Sequence, residues 1–141
     1  MKISKKGIDF IKRYEGFKAN AYVCPAGVIT IGWGSTKNID GTPIKMGQTL
    51  TEEEAEKMLL KDISKFEKIV NKKVTATLTQ NQYDMLVSHT YNTGGSDTLF
   101  KLVNEGKDVK DWWTKRYITG GGIVLKGLQK RRLEEYLIFI K

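Results

Sequence analysis

The stretch EGFKANAYVCPAGVITIGWG, Glu15 to Gly34, decides how this chain is read. It opens on its only acidic residue, Glu15. It then carries the only cysteine of the chain, Cys24, followed by Thr30, and it ends among glycines. NAYV and VITIGW are rich in β-branched and aromatic residues, so they read as two strands. CPAG between them holds proline and glycine and reads as the turn. Cys24 and Thr30 are six apart, an even number. An even register across PAG puts both side chains on one face of the hairpin, as opposite or diagonal neighbours.

Upstream, Ser4 is the N-cap of a helix that ends near Glu15, with Gly16 as its stop. Ile8, Ile11 and Glu15 share one face at i, i+3 and i+7. Glu15 therefore sits at the end of an apolar stripe and at the negative end of the helix dipole. Both effects disfavour a carboxylate and raise its pKa, which suits a general acid. The alternative is a solvent-facing Glu paired with a base such as Arg13. For Cys24 and Thr30 the alternative is a small pair filling the sheet face, since free cysteine is commonly buried and inert.

Downstream, NIDGTPIK contains Asp-Gly and reads as a further short hairpin. LTEEEAEKMLLKDISKFEKIV is a long amphipathic helix capped by Thr51 with Glu54, its apolar face marked by Ala55, Leu59, Ile63, Phe66 and Val70. LTQNQYDMLVSHTYN repeats the capping device with Thr79 and Gln82. Two shorter helices follow, and the last runs from about Leu128 to Ile140 with Leu133, Leu137 and Ile140 on one face. A small sheet among helices is α+β, with a β-lobe, a larger helical lobe, and a cleft between the lobes as the natural substrate site.

The whole composition narrows the function classes. A chain of 141 residues fits one domain with a real core. Lys plus Arg number 24 against 16 Asp plus Glu, a formal net charge of +8. Such a surface favours nucleic acid, membrane phosphates or an acidic cell-wall polymer. One cysteine excludes an intramolecular disulfide, and with one histidine, His89, it leaves little for a metal. No cofactor is expected. Charges interrupt every apolar run of the start, MKISKKGIDFIKRYEG, so it does not read as a signal peptide or a membrane span.

At these residues the chain resembles a known family, the phage lysozymes (endolysins) of the muramidase type, glycoside hydrolase family 24. In that family a helix ends in Glu-Gly; a gap of eight residues separates that Glu from an Asp or sometimes a Cys, and a gap of five separates this from a Thr in a hairpin strand. Glu15-Gly16, Cys24 and Thr30 fall at that spacing. TIGWGST resembles the family's Thr-Ile-Gly-Tyr-Gly strand. LTQNQYDMLVSHTYNTGG and GGGIVLKGLQKRRLEEY resemble two later segments, so the likeness runs in order through nearly the whole chain. The departure is Cys24, where many members have Asp.

The resemblance implies a lysozyme-like α+β fold, a small β-hairpin lobe and a larger helical lobe with the active-site cleft between them. It implies a single catalytic domain over 1–141: N-terminal helix about 4–15, β-lobe about 17–48, linking helix about 52–70 and helical lobe about 78–141. It implies hydrolysis of the β-1,4 bond between N-acetylmuramic acid and N-acetylglucosamine in peptidoglycan. Glu15 is then the acid, Thr30 positions the water, and Cys24 helps to position or activate it. A covalent role for the sulfur and a dead site stay open as alternatives. Asn92, Gly121, Gly122, Arg131 and Arg132 match family positions and are candidate substrate-binding residues. One of the two arginines is expected to reach Glu15 or a nearby carboxylate, the other to be solvated.

The implied partner is the peptidoglycan strand, met by a monomer without nucleic acid or stable membrane insertion. The implied location is the host cytoplasm until a holin aids release to the periplasm and wall. Two further readings compete. One is a basic polyanion-binding module built on LQKRRLEEY, which Glu134 and Glu135 interrupt. The other is a weak or inactive glycan-binding relative. His89, Trp112 and Trp113 read as core, and Asp40 beside Gly41 as a turn residue.

Overall fold

The structure is a computed structural model that describes residues 1–141. In chain order its elements are α1 (Lys5–Glu15), β1 (Lys18–Val23), β2 (Ile29–Gly32), α2 (Glu52–Lys73), α3 (Gln80–Thr93), α4 (Asp97–Asn104), α5 (Lys110–Lys115), β3 (Thr119–Gly120), β4 (Ile123–Val124) and α6 (Lys126–Phe139). Helices with small antiparallel sheets make it α+β, as expected. The chain forms two compact units, Ile11–Lys65 and Met1–Phe10 with Phe66–Lys141.

In the unit Ile11–Lys65, β1 and β2 pair antiparallel, with Tyr22 opposite Thr30 and Val23 opposite Ile29. Its core is Ile31, Ile44 and Met58, with Ala21, Ile29 and Leu50 packed against them. The TIGWGST segment folds back on itself: Ile31 and Ser35 exchange backbone hydrogen bonds of 2.9 Å each. Ser35 Oγ then donates to Asp62 Oδ2 at 2.7 Å and ties the segment to α2. Gly32 makes this fold-back possible. Its φ is +67°, and a Cβ there would lie 3.1 Å from that of Ala55. The Asp-Gly segment closes as a turn, with Asp40 Oδ1 accepting from the Thr42 amide at 3.0 Å.

In the other unit, α3 is buried continuously from Tyr83 to Thr90. Both halves of its capping box form: Gln82 N donates to Thr79 Oγ1 at 3.1 Å, and Thr79 N to Gln82 Oε1 at 2.9 Å. Asp84 accepts from the Ser4 amide at 2.9 Å, while the Ser4 hydroxyl takes the Gly7 amide at the start of α1. The helices α5 and α3 pack against α6.

Two expectations are corrected here. The C-terminal segment is not helical throughout: Thr119 pairs with Val124 and Gly120 with Ile123 in a small hairpin. Gly121 and Gly122 form its two-residue turn at φ +59° and +79°, a left-handed conformation that glycine adopts without steric cost. The second correction concerns α6. Its expected apolar face is its outer face, with Leu133, Leu137 and Ile140 exposed at 47%, 47% and 56%. The buried side carries Arg131, Arg132, Glu135, Tyr136 and Phe139. In that interior both arginines meet the single carboxylate of Glu135.

Candidate active site

The hairpin β1–β2 sets the geometry of the opening stretch. Cys24 N donates to Val28 O at 2.9 Å and Gly27 N to Cys24 O at 2.8 Å, so Pro25, Ala26 and Gly27 form a three-residue loop. Proline presets the second position of such a turn, and Gly27 at φ +82° supplies the left-handed closing residue. With Cys24 across from Val28 and Tyr22 opposite Thr30, Cys24 and Thr30 are diagonal neighbours on one face. Thr30 is buried and Cys24 half-buried.

The loop acts on the thiol. The Val28 amide first, and then that of Ala26, pull its pKa below the ordinary value. Limited burial opposes them, and the Thr30 hydroxyl adds a smaller lowering. That hydroxyl donates its single proton to the Val28 carbonyl at 3.0 Å, which explains why the amides dominate. It also leaves the Thr30 oxygen as an acceptor facing the sulfur's side of the sheet. The loop thus favours thiolate, which an apolar site would not.

Glu15 is the last residue of α1 and is half-buried. Gly16 follows at φ +71°, and its amide closes the helix on Lys12 O at 2.9 Å. Beside this terminus the Lys12 ammonium lies 4.5 Å from the Trp33 ring centre, and Phe17 stacks on Trp33 at 4.9 Å. Glu15, Cys24 and Thr30 all belong to the unit Ile11–Lys65.

The candidate substrate-binding residues lie in the other unit. Arg131 and Arg132 are 3% and 0% exposed, so neither is a solvated surface arginine. Arg132 Nε meets Glu135 Oε1 at 3.0 Å, and Arg131 Nε meets Oε2 at 3.5 Å. Ser88 Oγ donates to Glu135 Oε2 at 2.7 Å, and Trp113 Nε1 to Oε1 at 3.2 Å. Burial pushes the Glu135 carboxyl upward, while Arg132, Arg131, Ser88 and Trp113 pull against it. Arg132 Nη2 also donates to Asn92 Oδ1 at 2.6 Å. Asn92 is therefore held by an arginine, and the cap of α3 is Gly94, whose amide reaches Thr90 O at 2.8 Å. Gly121 and Gly122 sit exposed in the β3–β4 turn.

Glu135 is the residue that sequence reasoning left unassigned. Its spacing carried the signal, because Arg131 and Arg132 precede it by four and three residues on one helix. His89 is fully buried against the rings of Trp113, Tyr117 and Trp112 at 5.3, 5.5 and 5.7 Å. Burial, then Arg132 and Arg131, push its pKa down to about 3, so it stays neutral at physiological pH. No group of three His, Cys, Asp or Glu side chains is arranged to hold a metal ion.

Comparison with known proteins places this geometry among relatives. The sequence profile of the phage lysozyme family matches residues 12–135. The endolysin of Acyrthosiphon pisum secondary endosymbiont phage 1 is 38% identical, over 99% of this chain and 98% of its own length. The endolysin of Bacillus phage PZA is 37% identical over 99% of this chain, which spans 55% of that longer relative. Among solved structures, the endolysin of Escherichia coli O157:H7 phage FAHEc1 superposes with a TM-score of 0.90 at 39% identity, covering 100% of this chain and 94% of that one. An L86M mutant of P22 lysozyme superposes at 0.86 with 30% identity, covering 100% and 99%.

Proposed function

Because this chain belongs to the phage lysozyme family and is a peptidoglycan-hydrolysing muramidase of the endolysin kind, we propose that Glu15, Cys24 and Thr30 carry out its chemistry. The bond cut is the β-1,4 link between N-acetylmuramic acid and N-acetylglucosamine. Glu15 donates its proton to the glycosidic oxygen as that bond breaks. A water held by Thr30 and Cys24 attacks the anomeric carbon from the opposite face and gives its proton to the thiolate. The products are two sugar ends, one with inverted anomeric configuration. The reading rests above all on the diagonal placement of Cys24 and Thr30. The Thr30 proton is engaged by Val28, so its oxygen accepts from the water.

The substrate-side residues take graded roles in the same proposal. Gly121 and Gly122 offer exposed backbone to the glycan. Arg131 and Arg132, being buried, act through the side chains they hold; Arg132 orients Asn92. Residues 1–141 work as one catalytic domain and as a monomer, with no nucleic acid partner. The enzyme waits in the host cytoplasm and meets the wall after release by a holin. No helix is long and apolar enough to cross a membrane.

The test is clearing of permeabilised Gram-negative cells by the parent and by Glu15→Gln, Cys24→Asp, Cys24→Ser and Cys24→Ala. Glu15→Gln should lose activity by about a hundredfold or more. Cys24→Asp should retain substantial activity and Cys24→Ala should lose most of it. A parent that clears nothing at any pH or salt defeats the enzymatic reading and leaves a glycan-binding relative. Full activity in Cys24→Ala makes the sulfur a spectator.

A further inference from the structure

Two residues bracket the Glu15–Gly16 terminus of α1, and both reach one ring. The Lys12 ammonium lies 4.5 Å from the Trp33 ring centre, and the Phe17 ring centre lies 4.9 Å from it. The same ammonium meets Glu56 Oε1 of α2 at 2.5 Å. The Lys12 carbonyl accepts the Gly16 amide at 2.9 Å, so backbone and side chain of Lys12 both fix the end of the helix. Trp33 is buried and follows β2, the strand that carries Thr30, within the bend that the Ile31 and Ser35 backbones close. All of these residues belong to the unit Ile11–Lys65.

We propose that Lys12 is a positioning residue for the acid step: braced between Trp33 and Glu56, it fixes the Glu15 carboxyl relative to the water held at Thr30 and Cys24. The inference rests on the roles proposed above for those three residues. In an inverting glycosidase the acid and the group opposite stand about 6.5–9.5 Å apart with the water between them, so the spacing is part of the chemistry. A displacement of about 1 Å costs up to about a hundredfold in rate. Glu15 is followed by Gly16 at φ +71°, a joint with no side chain to hold that spacing. The brace supplies what the joint lacks, because an ammonium packed on an indole and paired with a carboxylate is held on two other elements at once. An ordinary surface pair looks different. On the same helix the Lys5 side chain, paired with Asp9, is 89% exposed, against 21% for Lys12.

The test is steady-state kinetics of the full chain on short soluble glycan fragments. Lys12→Met keeps the apolar stem and drops the charge; it should lower kcat about tenfold and leave KM within about twofold. Lys12→Arg should recover most of kcat, since a guanidinium also packs on an indole and meets a carboxylate. Lys5→Met should behave as the parent. In a Glu15→Gln background, Lys12→Met should cost less than about twofold, because the group it positions is gone. Should Lys12→Met melt early, Glu56→Gln is read the same way, with a fall in kcat of about threefold. Parental kcat in these variants, beside an inactive Glu15→Gln, overturns the positioning role and leaves Glu15 as the acid. An equal tenfold loss in the Glu15→Gln background makes Lys12 a structural residue only and overturns it too. Parental kcat in Glu15→Gln instead removes the acid reading, and this inference falls with it.

Discussion

At the scale of single residues, Cys24 and Thr30 separate two effects that proximity alone would merge. The largest pulls on the thiol come from the Val28 and Ala26 amides, and these depend on the turn that Gly27 closes at φ +82°. Gly27→Ala strains that turn. It should therefore raise the thiol pKa more than Thr30→Val does, as followed by thiolate absorbance. Thr30→Val should cost more activity, because it removes the acceptor for the water. A thiolate base is populated as pH rises through the thiol pKa, so a raised pKa moves the ascending limb of the activity profile to higher pH, and Cys24→Asp moves it lower. Equal limbs in parent and Gly27→Ala would remove the thiolate from the rate equation. His89 gives an independent sign. Its folded pKa of about 3 lies below its ordinary 6.5. Between these values the unfolded chain binds a proton that the native protein refuses, so its contribution to stability is intact above about pH 6.5 and is lost as pH falls toward 3. His89→Phe fits the ring-lined site and cannot titrate. Its melting temperature should decline less steeply between pH 6.5 and 4 than that of the parent; parallel curves would contradict the assignment.

At the scale of elements, α6 teaches where sequence patterning reads true and where it misleads. The long helix α2 buries Ala55, Leu59, Ile63 and Val70 because its apolar stripe is its only cohesive face. Its cap, Thr51 with Glu54, is local chemistry and was visible in four letters. In α6 two faces compete, one of leucines and one of arginines with Glu135. Periodicity assigns the core to the leucines, since it has no means of crediting a carboxylate that meets two guanidiniums, a serine and an indole at once. The β3–β4 hairpin escaped because its strands are two residues long, too short to show alternation. The hairpin β1–β2 was legible because proline, glycine and an even spacing are themselves the turn. Glu15, Cys24 and Thr30 needed the family spacing as well, since each also reads as an ordinary structural residue. From the ionic cluster follows a stability prediction. Glu135→Ala leaves two buried guanidiniums without their carboxylate and should cost about 3–5 kcal/mol. Thr79→Ala, which removes a cap from α3, should cost about 1 kcal/mol. Urea unfolding ranks the two, and a Glu135→Ala cost no larger than that of Thr79→Ala would mean that the cluster is not a keystone of the core.

At the scale of the whole molecule, the charge of +8 acts before any bond is broken. A cationic enzyme accumulates along a polyanionic wall, and its encounter rate rises with the summed field of both partners. A short soluble glycan fragment carries too little charge to sustain such a field, while the catalytic step proposed for Glu15 and Cys24 is the same for both substrates. Salt therefore distinguishes finding the substrate from cutting it. The Debye length shrinks from about 10 Å at 0.1 M to about 3 Å at 1 M, so long-range attraction fades over that range. Clearing of cell walls at low enzyme concentration should fall about tenfold between 0.05 and 0.5 M salt. Hydrolysis of soluble fragments should change less than about twofold over the same range. Neutralising exposed lysines of α2, such as Lys65 and Lys68, should flatten the wall curve and leave the fragment curve where it was. If salt slows both substrates alike, its target is the catalytic apparatus itself. The half-buried Cys24 would then be the place to look, because a charge on its sulfur would be open to screening by ions.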